Sequence, residues 1–169
     1  MANASPEQRA MGEKLSIAIT QGVFIGGPLI GIIGAAAASL LYWGTINFVF
    51  GGKSTYGEIF AVSYYAWLPM GLKPLLGAVV IYAGMAPESF NIKNFSPTNL
   101  GAFLDPVETN KALYTLATAL DAVTIWMLVL MSIGVATVAG VKKGSGYIAV
   151  FGWWLLFVLI GVGWAAAMG

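Results

Sequence analysis

Four uncharged or nearly uncharged runs dominate the pattern of apolar and polar positions. Residues 22–50 contain no Asp, Glu, Lys or Arg. As a helix rising about 1.5 Å per residue, that run would reach ~43 Å, more than the roughly 30 Å hydrocarbon slab of a bilayer requires. Residues 59–86 are apolar except for Lys73, which stands between Pro69 and Pro74. Residues 112–141 carry a single charge, Asp121, and residues 147–168 carry none. Each run exceeds the roughly 20 residues that a crossing helix needs, so four transmembrane spans are predicted at about these limits. Prolines inside a helix remove a hydrogen bond and clash with the preceding turn, so the second span is expected to kink around Lys73. The fold class is all-α: a polytopic membrane helical bundle.

The segments between the runs complete the outline. Residues 1–20 form a polar start with Glu7, Gln8, Arg9, Glu13 and Lys14 close together. Behind Pro6 this reads as a short helix lying at the membrane surface, ahead of a single transmembrane domain over 21–169. Mixed charges, and no small-residue cleavage site after a short apolar core, speak against a secretory signal. Residues 87–110 make the longest loop. Its Phe90, Phe95, Leu100, Phe103 and Leu104 are expected to fold back onto the mouth of the bundle. Lys142-Lys143-Gly144-Ser145-Gly146 is a tight basic turn.

Composition agrees and narrows the function classes. The 169-residue chain is 59% hydrophobic and only 9% charged, where a soluble domain carries about 25% charged residues. Lipid must therefore replace water over most of the surface. A net charge of +1 gives no electrostatic footprint for nucleic acid. The chain has neither Cys nor His. That removes disulfides, iron–sulfur clusters, His-ligated haem and the usual zinc sites, together with Cys–His and Ser–His nucleophile pairs. No catalytic residues, metal or cofactor are expected, and the chain reads as non-enzymatic. Its aromatic residues suit interface belts better than a pigment or quinone site.

Lys73 and Asp121 are the sharpest polar candidates, since each lies inside an apolar run. A charge at the bilayer centre costs roughly 2.5–3.5 kcal/mol on insertion scales, so such groups face a bundle interior or a cavity. Their opposite signs suggest an intramembrane ion pair. The alternative has Lys73 snorkelling to an interface, with Asp121 bonded to Thr118 or Thr124. A second feature is a small-residue face, Gly27, Gly31 and Ala35 with Gly34 and Ala38, of the kind that lets membrane helices approach closely. It fits packing within this chain or a seam with another subunit. Gly51-Gly52-Lys53-Ser54-Thr55 is similar to the end of a phosphate-binding loop, but Asn47 stands where that pattern needs its first glycine. It reads as a turn with one interfacial lysine. Asn94-Phe95-Ser96 and Asn3-Ala4-Ser5 match the glycosylation triplet, and each is followed by a proline.

Several stretches together resemble a known family. They are Ala61-Val62-Ser63-Tyr64-Tyr65-Ala66-Trp67-Leu68-Pro69, Asn99-Leu100-Gly101-Ala102-Phe103-Leu104-Asp105-Pro106, Asp121-Ala122-Val123-Thr124-Ile125-Trp126, and Gly152-Trp153-Trp154 through Gly163-Trp164-Ala165-Ala166. In order and spacing they resemble the bacterial branch of the Yip family of Ypt/Rab-interacting membrane proteins. The resemblance implies a role in membrane organisation or trafficking and a bacterial cytoplasmic membrane. Family members usually have five spans, so this chain looks like a short form that begins before the family's second helix. An even number of spans puts both termini on one side. Arg9, Lys14, Lys93 and Lys111 fall on the terminal side, and Lys53, Lys142 and Lys143 crowd the short turns. Lysine density puts those turns in the cytoplasm and the termini outside it. The partners expected are the lipid bilayer and other membrane subunits, or copies of the chain itself. A membrane-organising or scaffold role leads. An accessory subunit of a bioenergetic or photosynthetic complex, or a small transporter using Lys73 and Asp121, are the alternatives.

Overall fold

The computed structural model describes residues 6–84, 94 and 96–168; residues 1–5, 85–93, 95 and 169 lie outside that set, Phe90 and Phe95 among them. All regular elements in the described residues are helical, and four helical segments are long and apolar enough to cross a membrane. The chain forms two compact units, residues 1–38 and 39–169.

Helix α1 runs from Pro6 to Gly44. Pro6 occupies the first helical position, where its missing N–H leaves no bond unmade, and Glu7 in the first turn complements the positive helix end. The polar start and the apolar run behind it form one unbroken helix, whose crossing segment is Leu29–Val49. Thr45–Val49 continues as a π-helix. The chain then turns at Gly51, whose φ of +69° lies in the left-handed region that strains residues bearing a Cβ. A Cβ on Gly52 would stand 3.0 Å from both the Ala139 methyl and the Ile46 carbonyl, so this turn is pressed against the end of a later helix.

The second span is broken, and the site of the break can be read from its prolines. Helix α2, Tyr56–Ala66, opens with a capping box in which Thr55 and Glu58 satisfy each other's backbone N–H groups. It gives way at Trp67 to a 3-10 turn, Leu68–Gly71, with Pro69 at its start. Helix α3, Leu72–Tyr82, then resumes. Pro74 falls in the first turn of α3, where an absent donor is harmless. The kink therefore lies before Lys73 and belongs to Pro69.

The third apolar run is two helices, α4 at Lys111–Ala119 and α5 at Ala122–Ala139. Leu120 and Asp121 leave helical geometry between them, Asp121 being extended at φ −120°, ψ 126°. Asp121 is thus not an interior position of a long helix. Helix α5 ends at Gly140, whose left-handed φ of +68° lets its N–H reach Ala136 and Thr137. Helix α6 runs Lys143–Ala167. It packs on both α4 and α5, while α2 packs on the other side of α5. Helix α5 is far more deeply buried than α6, so α5 is the centre of the second unit. Leu128, Met131, Val135 and Ala136 fill that core. At the α5–α6 crossing, a Cβ on Gly146 would collide with the Ser132 carbonyl and the Ala136 methyl. Leu155, Phe157, Leu159 and Ile160 of α6 stay exposed, as a lipid-facing surface requires.

Candidate functional site

The site grows from the interruption between α4 and α5. Because Asp121 is extended, its side chain can turn back and cap α5: Oδ1 accepts the Thr124 N–H at 2.7 Å. Asp is a favoured N-cap residue, since its short carboxylate reaches an N–H that has no partner within the helix. The same break leaves the flanking backbone groups free. Leu100 N donates to Leu120 O at 3.2 Å and Ala122 N to Thr98 O at 2.9 Å, which makes a short antiparallel bridge between Asn99 and Asp121.

Lys73 arrives from the second span. Its Nζ lies 3.1 Å from Asp121 Oδ1 and donates to Thr124 Oγ1 at 3.0 Å. Thr98 Oγ1 donates to Asp121 Oδ2 at 2.6 Å and contacts Ser96 Oγ at 2.8 Å. Asp121 is 1% exposed, whereas the Lys73 side chain keeps 22% of its surface open. A carboxylate offers about four acceptor positions. Three are filled here, all by donors of the chain itself.

A second polar layer holds the loop. Asn99 Nδ2 donates to Asn94 Oδ1 at 2.6 Å and to Ser96 O at 3.0 Å, and Asn94 Nδ2 reaches Tyr114 Oη on α4 at 3.2 Å. Gly101, in the 3-10 turn Leu100–Phe103, is pressed so closely on Thr118 that a Cβ would overlap its methyl. The described part of the loop does fold back, but through Ser96, Thr98, Asn99 and Gly101. Leu100 and Phe103 are 54% and 81% exposed. Sequence reasoning missed Ser96, Thr98, Asn99 and Asn94, because short polar residues in a loop have no period to betray them.

Depth follows from helix length. Helix α5 has 18 residues, about 27 Å at 1.5 Å per residue, with Asp121 capping one end and Gly140 the other. Asp121 therefore stands at one end of the central helix, opposite the end that leads into the basic turn, while Lys73 lies inside the apolar segment Tyr56–Tyr82.

The other candidates have separate places. Asn47 secures the turn that follows the π-helix: its Nδ2 donates to Ser54 O at 2.9 Å, and its Oδ1 accepts from Ser54 N at 3.0 Å. Trp43 Nε1 donates to the same carbonyl at 3.0 Å. Ser54 is buried, so the Gly-Gly-Lys-Ser segment has no open nest for a phosphate. Along α1, Ala35 is buried, and a Cβ at Gly27 or Gly34 would meet open space. Among the described residues no cluster of three or more acidic side chains could hold a metal.

Residues 2–165 match the Yip1 domain. The membrane protein YknW of Bacillus subtilis (strain 168) is 28% identical over 126 residues, which is 74% of this chain and 51% of YknW. The chain spans about half the length of that curated relative. No solved structure matches.

Proposed function

The chain belongs to the Yip1 domain family, and from that premise we propose a non-enzymatic, membrane-organising role in a bacterial cytoplasmic membrane. Its polar pair serves this role as an internal latch. The observation that carries the proposal is the closure of Asp121, whose carboxylate is engaged by Lys73, Thr98 and the Thr124 N–H. A transport site must exchange its partners with a passing solute. Here the partners come from two spans and a loop of the same chain: releasing the Thr124 N–H uncaps α5, releasing Thr98 frees the loop, and releasing Lys73 strips the buried carboxylate of its counter-charge. A scaffold needs such a fixed end and apolar flanks, and exposed Leu155, Phe157 and Ile160 on α6 supply a flank.

In this proposal the turns carrying Lys53, Lys142 and Lys143 face the cytoplasm, and the termini lie on the opposite side. Gly27, Gly31, Gly34, Ala35 and Ala38 supply the surface for close helix approach, between copies or within one chain.

The test is native mass with subunit identification after gentle detergent extraction of membranes. The scaffold role predicts that the chain runs alone or with copies of itself. Comigration at fixed stoichiometry with larger subunits of a bioenergetic complex would instead make it an accessory subunit and overturn the proposal.

A further inference from the structure

A groove of about 460 Å³ opens on the outer side of the α2–α5 contact, lined by Ala61, Val62, Tyr65, Leu130, Gly134 and Val138. Its origin is a close helix approach. A Cβ on Gly134 would stand only 2.6 Å from Val62 Cγ1, so the two backbones meet there. Beside that contact Ala61 is too small to fill the space. The volume lies within the range of roughly 300–1,000 Å³ usual for ligand sites. The groove follows two membrane-crossing segments, Tyr56–Tyr82 and Ala122–Ala139, so its surroundings are hydrocarbon.

One end of the groove carries charge. Helices α2 and α5 run antiparallel there, so Glu58 and Val138 mark one end and Tyr65 and Leu130 the other. At the Val138 end, Lys53 N donates to Ala139 O at 3.2 Å, which fixes the Gly-Gly-Lys turn beside the close of α5. Lys142 and Lys143 follow directly after that close, and all three lysines are exposed. Glu58 is the acidic residue lining this end, and its Oε2 is turned back onto Thr55, at 2.7 Å from Thr55 N and 2.9 Å from Thr55 Oγ1.

We propose that this groove seats one acyl chain of an anionic phospholipid whose phosphate is held by Lys53, Lys142 and Lys143. Charge complementarity selects the occupant. An apolar partner helix could cover the groove but would leave three lysines without a counter-charge. An anionic lipid satisfies the groove and the lysines together, and clustered basic residues at a helix end attract anionic headgroups. The site does not depend on the scaffold role and stands or falls separately.

The experiment uses the full chain reconstituted in nanodiscs of equimolar phosphatidylglycerol and phosphatidylcholine, released and analysed by native mass spectrometry. The wild type is expected to retain phosphatidylglycerol in preference to phosphatidylcholine. Neutralising Lys53, Lys142 and Lys143 to Gln lowers phosphatidylglycerol retention about fivefold per lysine and leaves phosphatidylcholine unchanged. Ala61→Phe fills the groove from an exposed position and abolishes retention of both. Thermal unfolding in lipid-free detergent shows these surface variants to be folded. Equal retention of the two lipids by the wild type overturns the proposal. So does Ala61→Phe that leaves phosphatidylglycerol retention intact, or a second protein chain displaced by Ala61→Phe in place of a lipid.

Discussion

Lys73 meets Asp121 at 3.1 Å where two breaks in the chain coincide, one in the second span before Lys73 and one between α4 and α5 at Asp121. Each interruption frees backbone that a continuous helix would have consumed. The Leu120 carbonyl and the Ala122 N–H released by the second break bind the loop at Leu100 and Thr98. The pair, the cap and the loop thus form one connected unit.

The first prediction ranks substitutions at Asp121. Asp121→Ala removes the cap, the ion pair and the Thr98 acceptor together, and should lose about 3–5 kcal/mol of stability, as expected when one member of a buried pair is deleted. Asp121→Asn caps a helix as well as Asp does but loses the charge and exchanges the oxygen that accepts from Thr98 for a donor NH2, so it should cost about 1.5–3 kcal/mol. Denaturant titration in detergent micelles checks the order. Equal losses would show that the cap geometry plays no part.

Thr98→Val tests the loop's side of the same unit. It keeps the shape and deletes the 2.6 Å bond to Asp121, for which a loss of about 0.6–1.7 kcal/mol is expected from hydrogen bonds within membrane proteins. Combined with Asp121→Ala, its effect should shrink to that of the Ser96 contact, because the two substitutions remove the same Asp121 bond. A fully additive double variant would contradict the coupling.

Asn47→Gly completes the glycine pattern of a phosphate-binding loop, yet it should not confer nucleotide binding. It should cost about 1–3 kcal/mol, because it leaves the buried Ser54 N–H without its acceptor. Calorimetry with magnesium and ATP, beside an unfolding titration, reads both outcomes. Nucleotide binding by the variant would refute the account of Asn47 as a turn clamp.

Much of this architecture was legible because lipid is a simple solvent: apolar runs longer than the slab suit crossing it, and four helical segments are long and apolar enough to do so. The kink of the second span was legible from its prolines, although which proline breaks the helix depends on its place within a turn. Pro74 is absorbed by the first turn of α3, and Pro69 is not. The interruption at Asp121 was hidden because Leu120 and Ala122 continue the apolar run without a Gly or Pro to mark a stop. Its one signal was Asp121 itself, a favoured N-cap residue whose carboxylate reaches a backbone N–H three residues on. Thr98 left no trace, and Ser96 and Asn99 stood out only within a glycosylation triplet and a family-like stretch, since bonding across a loop obeys no periodicity. The apolar loop residues Leu100 and Phe103 pointed to the right docking for the wrong reason.

Two neighbouring glycines make a paired test of the α5–α6 crossing. Gly146→Ala drives a methyl into the Ser132 carbonyl and Ala136, an overpacking expected to cost about 1–3 kcal/mol. Gly144→Ala meets open space and should leave stability unchanged or slightly raised. Thermal unfolding of the two variants side by side decides it. Equal behaviour would mean that the crossing is looser than described.

The latch is tested most directly by proton and cation flux into liposomes containing either the wild-type chain or Asp121→Asn. A structural latch predicts that both behave like protein-free liposomes, while Asp121→Asn unfolds more easily. Flux through the wild type that disappears in a folded Asp121→Asn would contradict the account and make Lys73 and Asp121 part of a transport path.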